Sequence, residues 1–258
     1  MKIRISWWWL PYGILMLASN MWKSALFLLL VLSLHESAHM LAAKAFHYEV
    51  PQVVLYPFGF GASILHLGHG SLWRETLILL AGPCVHLIIP FLLIVLVKFD
   101  LISITYANYL EQLNQSVLLF NLLPIYPLDG GRILLNFLHL FLPYCCGLWV
   151  SYALSVSLVL YLFHETAVLS FQIVLLFLLF QQLLSWLFIK REKEQFYYYR
   201  YLSAPKRIRL KHPFQDCFRA FYNVIRFEKE WMQEKAWIRR YFEKEDLKKR
   251  KQSHQIML

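Results

Sequence analysis

Long apolar runs separated by short polar segments make up most of residues 1–190, and six of these runs predict membrane-spanning helices. The first run follows a short basic start and shows no small-residue cleavage site, so we expect it to be retained in the membrane. The pattern predicts an all-α polytopic membrane protein with about six transmembrane helices. The six runs are Trp7 to Met21, Ser24 to Phe46, Leu72 to Val97, Ile102 to Leu123, Cys146 to Phe163 and Thr166 to Ile189.

The polar segment between the second and third runs is too short to cross a membrane again as a helix. It contains two stretches of strand character, Val50 to Tyr56 and Phe60 to Leu67, around the glycine-containing segment Pro57 to Gly61. We therefore predict a short β-hairpin at the membrane face. A further short helix, Arg132 to Leu142, is predicted to lie at the membrane interface.

Charge divides the chain into a membrane domain, residues 1–190, and a basic tail, residues 191–258. Hydrophobic residues make up 59% of the chain, which excludes an ordinary soluble domain. Residues 1–189 hold seven basic and seven acidic side chains, so the whole net charge of +10 lies in the remainder. The positive-inside rule predicts a cytoplasmic, helical tail, and six spans then place both termini in the cytoplasm. We interpret the tail as a lipid-proximal basic face rather than a site for nucleic acid or an acidic partner.

Two histidines and a glutamate interrupt the second apolar run, in the string His35-Glu36-Ser37-Ala38-His39. On a helix His35 and His39 project from one face about one turn apart, so a single metal ion can bridge them. Glu36 can then reach a metal-bound water. Ionisable groups in so apolar a run are costly unless they are paired or coordinated, which indicates a functional site. A coincidental pair of packed histidines is the alternative.

A catalytic zinc site needs three protein ligands, so two histidines leave the site one ligand short. Asp129 has a suitable setting, because it follows a segment in which Pro124 and Pro127 interrupt the helix and precedes two glycines. Irregular backbone is tolerated at membrane depth only where it is buried in protein or lines a wet cavity. A turn with an ordinary helix-capping aspartate is the alternative interpretation.

The two motifs together, His35-Glu36-x-x-His39 and Asn121-x-x-Pro124-x-x-x-x-Asp129-Gly130, resemble the site-2 protease family of intramembrane zinc metalloproteases. The resemblance covers residues 24–135 well, and the later spans only by their number. Within the family, the glycine-bearing hairpin and the string from Leu122 to Gly131 are most similar to the sporulation group of endospore-forming bacteria.

The resemblance implies a role for each matching position. Zn²⁺ would be the cofactor, with His35, His39 and Asp129 as its ligands. Glu36 would act as the general base, and Asn121 would polarise or position the scissile carbonyl group. The hairpin and the broken helix would hold an extended substrate, since a helical peptide bond must unwind before attack. The implied substrate-binding residues are Phe58, Gly59, Phe60, Gly61 and Pro124.

The implied activity is endoproteolysis of a membrane-associated protein substrate near the cytoplasmic face. In the sporulation group that substrate would be a sigma-factor precursor, in the mother-cell membrane around the forespore, with regulatory membrane proteins as further partners and no direct contact with nucleic acid. A relative that cleaves anti-sigma factors or signal-peptide remnants is one alternative. A non-catalytic membrane scaffold or a metal transporter is another, although a transporter should show paired repeats, and only one broken segment is evident.

Three features depart from the family or stay open. Many relatives have asparagine at the last position of a Gly-Pro-x-x-Asn motif, where this chain has His86. We expect a buried histidine bonded to a neighbouring helix, and the alternatives are a substrate-gating group or a group that supports the site. Residues 208–223 resemble the opening of a nucleotide-responsive CBS domain, but Glu228 to Arg250 predict a charged helix instead. His66 and His69 are expected at the surface.

Overall fold

A computed structural model describes residues 2–5, 22–50, 52–56, 59–64, 67–203, 208–227 and 230–244. The chain forms two compact units, Met1–Ile133 and Leu134–Leu258. The predicted division near residue 190 follows charge rather than packing, and it remains a prediction.

In the described part of the first unit, four helices and the start of a fifth form the main framework. Their core contains one cluster of buried apolar side chains, which includes Val31 of the first helix, Ile89 and Leu93 of the third, and Ala107 and Leu110 of the fourth. Val31 is fully buried and the other four are nearly so, which ties these three helices together. The helices are α1 (Trp22–Ala45), α2 (Leu72–His86), α3 (Ile89–Lys98), α4 (Ile104–Leu122) and α5 (Asp129–Phe141).

The third predicted span is interrupted between α2 and α3, at Leu87 and Ile88. Pro90 accounts for the break, because proline has no amide hydrogen and its ring crowds the carbonyl group four residues earlier. That carbonyl belongs to His86, the last residue of α2. The interruption therefore leaves the His86 carbonyl oxygen open to a partner from another helix.

The predicted hairpin is confirmed in the first unit. Strands β2 (Gln52–Tyr56) and β3 (Gly59–Ser63) pair antiparallel, with Tyr56 opposite Gly59. A strand that was not predicted, β1 (Lys2–Ile5), joins the outer side of β2 in parallel, so the order is β1-β2-β3. Strand β3 lies against α1.

The second unit begins within α5, and its described residues form four more helices and a small sheet. Strand β4 pairs in parallel with β5, and β6 pairs antiparallel with β5. The prediction of a helix starting at Glu228 is wrong, since residues 230–233 form β6 and the helix starts at residue 234. The elements are α6 (Tyr144–Glu165), α7 (Leu169–Leu187), α8 (Ile189–Leu202), β4 (Arg209–His212), β5 (Tyr222–Phe227), β6 (Glu230–Gln233) and α9 (residues 234–244).

A buried carboxylate joins the sheet region to the start of α6. Asp216 accepts hydrogen bonds from the main-chain amide of Cys145, at 2.7 Å, and from the hydroxyl group of Tyr197, at 2.6 Å. Because amides at a helix N-terminus lack helical acceptors and carry partial positive charge, a carboxylate there is favourable. The sheet is thereby attached to one end of an apolar helix within the same unit.

Among the described residues, four segments are long and apolar enough to cross a membrane: Trp22–Ala45, Leu72–Lys98, Tyr144–Glu165 and Leu169–Leu187. They match four of the six predicted runs. The run from Trp7 to Met21 lies outside the described residues. The run from Ile102 to Leu123 does form a helix, α4, but its carboxylate and amide side chains make it less apolar, and its crossing of the membrane remains a prediction.

Candidate metal centre

Helix α1 supplies two of the candidate ligands. His35 and His39 lie on the same face, as their four-residue spacing predicts, and their exposed fractions are 2% and 7%. That face packs against α2. Two imidazole rings are thereby removed from solvent inside a helix whose other residues are mostly apolar.

The third ligand comes from the segment that joins α4 to α5. Asp129 is the first residue of α5, and the preceding residues, 123–128, are irregular and include a cis peptide bond between Tyr126 and Pro127. The chain doubles back so tightly that a side chain at Gly130 would collide with the main-chain oxygens of Leu122 and Leu123. Glycine at residue 130 therefore permits the turn that positions Asp129.

The three candidate ligand atoms converge on one point. The Nε2 atoms of His35 and His39 are 3.0 Å apart, and they lie 3.0 and 3.1 Å from Oδ2 of Asp129. A tetrahedral zinc ion with bonds of about 2.0 to 2.1 Å separates its ligand atoms by about 3.3 Å. The triangle is thus close to the size that zinc requires, and its donor set of two imidazoles and one carboxylate suits that metal.

The orientation of His39 provides a second test of that fit. Its Nδ1 atom lies 2.7 Å from the main-chain oxygen of Ile78, which can only accept, so Nδ1–H is the donor. In the neutral ring Nε2 then carries a lone pair, and this lone pair faces the Asp129 carboxylate. Two electron-rich atoms in this position need a cation between them, and a metal ion meets that need.

Glycine at residue 82 makes room for the two rings. A Cβ atom there would lie 2.6 Å from Nε2 of His35 and closer still to Nε2 of His39. Helix α2 therefore approaches the imidazoles with its bare backbone, because any side chain at residue 82 would occupy the space beside their Nε2 atoms.

The remaining predicted residues are placed less directly. Glu36 lies near enough to both imidazoles, to Asp129 and to Arg132 for its carboxylate to interact with all of them electrostatically. Asn121 is half-buried near the end of α4, and Pro124 is exposed in the irregular segment. Among the described residues, the side chains that converge on the candidate metal position are those of His35, His39 and Asp129, and neither Asn121 nor Pro124 is one of them. Gly59, Phe60 and Gly61 form part of β3, and Phe58 lies outside the described residues.

His86 and Asn114 are two buried polar residues beside the candidate site. Their contact with each other was not predicted. Nε2 of His86 lies 3.1 Å from Nδ1 of His35, and Nδ1 of His86 lies 2.8 Å from Oδ1 of Asn114 on α4. The expectation that His86 bonds to a neighbouring helix is confirmed. The sequence carries no distinct signal for Asn114, because Glu111, Gln112 and Gln115 surround it with other polar side chains. His69 is 8% exposed, so its predicted surface position is wrong; His66 lies outside the described residues.

Sequence comparison finds three relatives with similar degrees of identity, two of which are described below. The chain is 32% identical over 136 residues to stage IV sporulation protein FB of Bacillus subtilis, covering 53% of this chain and 47% of that protein. It is 33% identical over 127 residues to zinc metalloprotease MJ0392 of Methanocaldococcus jannaschii, covering 47% and 37%. The chain thus spans less than half the length of either relative. No family profile matches the chain.

The fold also has a solved counterpart. The site-2 protease from Methanocaldococcus jannaschii superimposes with a TM-score of 0.51 at 26% identity, over 70% of this chain and 88% of that one. The sequence likenesses, the shared fold and the cluster of two histidines and an aspartate agree with one another. The chain is therefore similar in sequence, in fold and in its candidate metal ligands to the site-2 protease family of zinc metalloproteases.

Proposed function

We propose that this chain is an intramembrane zinc endopeptidase that cleaves a membrane-associated protein near the cytoplasmic face. The observation that carries the proposal is the cluster of His35, His39 and Asp129, with the Glu36 carboxylate beside it. Three ligands leave a fourth position of a tetrahedral ion free, as catalytic zinc sites require.

Each residue of the cluster has a distinct part in this proposal. His35, His39 and Asp129 hold the metal, which when bound supplies a water acidic enough to act as a nucleophile near neutral pH. Glu36 takes the proton from that water and passes it to the leaving amine. Asn121, close in sequence to the irregular segment, positions or polarises the scissile carbonyl group.

The β-sheet of the first unit supports a way to hold the substrate. Strand β3 is at the edge of that sheet, and no other described strand pairs with its outer side. It lies against α1, the helix that carries both histidines. A substrate segment that unwinds can add to this edge through main-chain hydrogen bonds, with Phe58 to Gly61 and Pro124 as its contacts.

The proposed location is a membrane, with both termini and the basic tail on the cytoplasmic side. The excess of basic residues after residue 190 supports this orientation. Likeness to a protein named for stage IV of sporulation supports a role in sporulation. Within that role, the proposed substrate is a sigma-factor precursor and the proposed site of action is the mother-cell membrane. Regulatory membrane proteins are the expected partners, beside the lipid bilayer itself.

The test co-expresses the full chain with a membrane-associated sigma-factor precursor and measures both the cleaved product and bound zinc. Glu36→Gln should keep zinc and lose product, because it removes the base and leaves the ligands. Asp129→Asn should lose both, since the amide is a poor replacement for a charged ligand. The matched controls Glu49→Gln and Asp100→Asn change exposed carboxylates and should behave as the wild type.

Undiminished cleavage by Glu36→Gln would refute the proposed chemistry. Zinc binding with no cleavage of any membrane-associated substrate would point instead to the scaffold or transporter alternative.

A further inference from the structure

A hydrogen-bonded chain leads from α4 through the end of α2 to one of the metal ligands. It consists of Asn114, His86 and His35, which are 1%, 1% and 2% exposed. Their polar atoms have little access to water, so the protein itself must satisfy them. All three hydrogen-bonded residues belong to the first unit.

The direction of every bond follows from one main-chain carbonyl group. Pro90 cannot donate to the His86 carbonyl oxygen, and Nδ2 of Asn114 donates to it instead, at 3.0 Å. A carbonyl oxygen only accepts, so this bond identifies which end of the Asn114 side chain is nitrogen. Oδ1 of Asn114 is then the atom that faces Nδ1 of His86, at 2.8 Å.

The same argument assigns the hydrogen positions on the rings of His86 and His35. Because Oδ1 of Asn114 only accepts, Nδ1 of His86 carries the hydrogen, and in the neutral ring Nε2 of His86 is an acceptor. Nδ1 of His35, 3.1 Å away, must therefore donate to it. Nε2 of His35 is left with a lone pair, and this is the atom that lies 3.0 Å from Asp129.

We propose that His86 is a positioning residue for the metal ligand His35, and that Asn114 in turn sets the tautomer and orientation of His86. The inference rests on the proposed zinc site and extends it to two residues that do not touch the metal. Hydrogen bonds of this kind hold a ligand ring in place and strengthen its donor atom, and their loss costs about 10-fold to 100-fold in metal affinity.

The two histidine ligands are supported in different ways. His39 donates to the main-chain oxygen of Ile78, which no side-chain substitution removes. His35 donates to a side chain, so its support can be removed and restored by mutation. The asymmetry makes His86 a suitable position for testing ligand orientation.

The test measures zinc affinity of the full chain, purified in detergent, by competition with a chromophoric chelator. His86→Leu removes the acceptor and should weaken zinc binding about 10-fold to 100-fold. His86→Gln can place an amide oxygen near the former Nε2 position, so it should stay within about threefold of the wild type. Asn114→Leu keeps His86 but frees its orientation, and it should fall between the two.

A second measurement separates orientation from packing. Visible spectra of the Co²⁺-loaded chain report the ligand geometry, and His86→Leu should alter them while His86→Gln keeps the wild-type bands. Thermal unfolding of the metal-free variants provides the control for stability. Equal zinc affinity in all variants, or equal losses in Leu and Gln variants that follow lowered metal-free stability, would overturn the inference.

The outcome is separable from that of the proposed function. If the wild-type chain binds no zinc, the proposed function and this inference both fail. If it binds zinc with the expected order of variants but cleaves nothing, the inference stands and the protease assignment fails.

Discussion

Nδ1 of His39 lies 2.7 Å from the main-chain oxygen of Ile78, so a ring on α1 is held by the backbone of α2. The Ile78 carbonyl group, being helical, also faces the amide of Gly82 one turn later. Gly82 therefore lies directly against the imidazole rings of His35 and His39. The spacing between α1 and α2 is set jointly by this hydrogen bond and by the missing side chain at residue 82.

Gly82→Ala is expected to abolish zinc binding and with it any proteolysis. The added methyl group would lie 2.6 Å from Nε2 of His35 and would displace at least one ring from its ligand position. Bound zinc, measured by metal analysis of the purified chain, checks the prediction. The control is Cys84→Ala on the same helix, where the side chain is exposed and no loss is expected. Stoichiometric zinc in Gly82→Ala would contradict this account of the helix spacing.

The candidate ligands could be predicted from the sequence because their chemistry depends on short spacings. His35 and His39 share a helix face by periodicity alone, and Asp129 is identified by the prolines and glycines around it. The hairpin follows for the same reason, since its turn residues are local signals. The sequence therefore predicts well those features that a few neighbouring residues determine.

The features that the sequence did not reveal depend on contacts between residues that are distant in the sequence. His86 and Asn114 are 28 positions apart, and nothing in either local pattern shows that they meet. Strand β6 was missed because its flanking charges favour a helix, whereas Ile225 opposite Met232 in the paired strands favours β-structure. The break after His86 did carry a signal, since Pro90 leaves a carbonyl four residues earlier without a helical donor.

Glu234→Ala is expected to destabilise the second unit by about 3 to 5 kcal/mol, because it leaves a buried charge without its partner. The Glu234 carboxylate accepts from Nε and Nη2 of Arg200, at 2.6 and 2.8 Å, and from the amide of Asn223. Arg200 is 1% exposed, so water cannot replace the lost carboxylate. Thermal unfolding in detergent, or cleavage of the tail by an added protease, measures the effect.

Glu243→Ala provides the matched control for that prediction. Glu243 pairs with Arg239 at 3.4 Å on the exposed side of α9, where its side chain is 62% exposed. Exposed pairs of this type contribute little, so the change should stay within about 0.5 kcal/mol. Equal destabilisation by the two substitutions would show that burial of the Arg200 pair has no special weight.

Acid is expected to destabilise the second unit through His139, which is fully buried in α5, outside the four membrane-capable segments. Burial lowers the pKa of His139 to about 3, and the nearby Arg219 guanidinium acts in the same direction. Its Nε2–H donates to the main-chain oxygen of Tyr144 at 3.1 Å, and among the described residues Nδ1 has no hydrogen-bond partner. A second proton would therefore enter a site with no acceptor for it.

The sign of the pH effect follows from that lowered pKa. Between pH 6.5 and about pH 3 the unfolded chain binds a proton at His139 that the folded chain excludes, so stability falls as pH falls through this window. From neutral pH to pH 5 the loss should be about 2 kcal/mol. His139→Phe keeps an aromatic ring against Tyr144 but cannot titrate, so its unfolding temperature should fall less between pH 7 and pH 5. The control His164→Gln removes an exposed histidine and should retain the wild-type pH dependence. An identical pH dependence in His139→Phe and the wild type would exclude His139 as the group responsible.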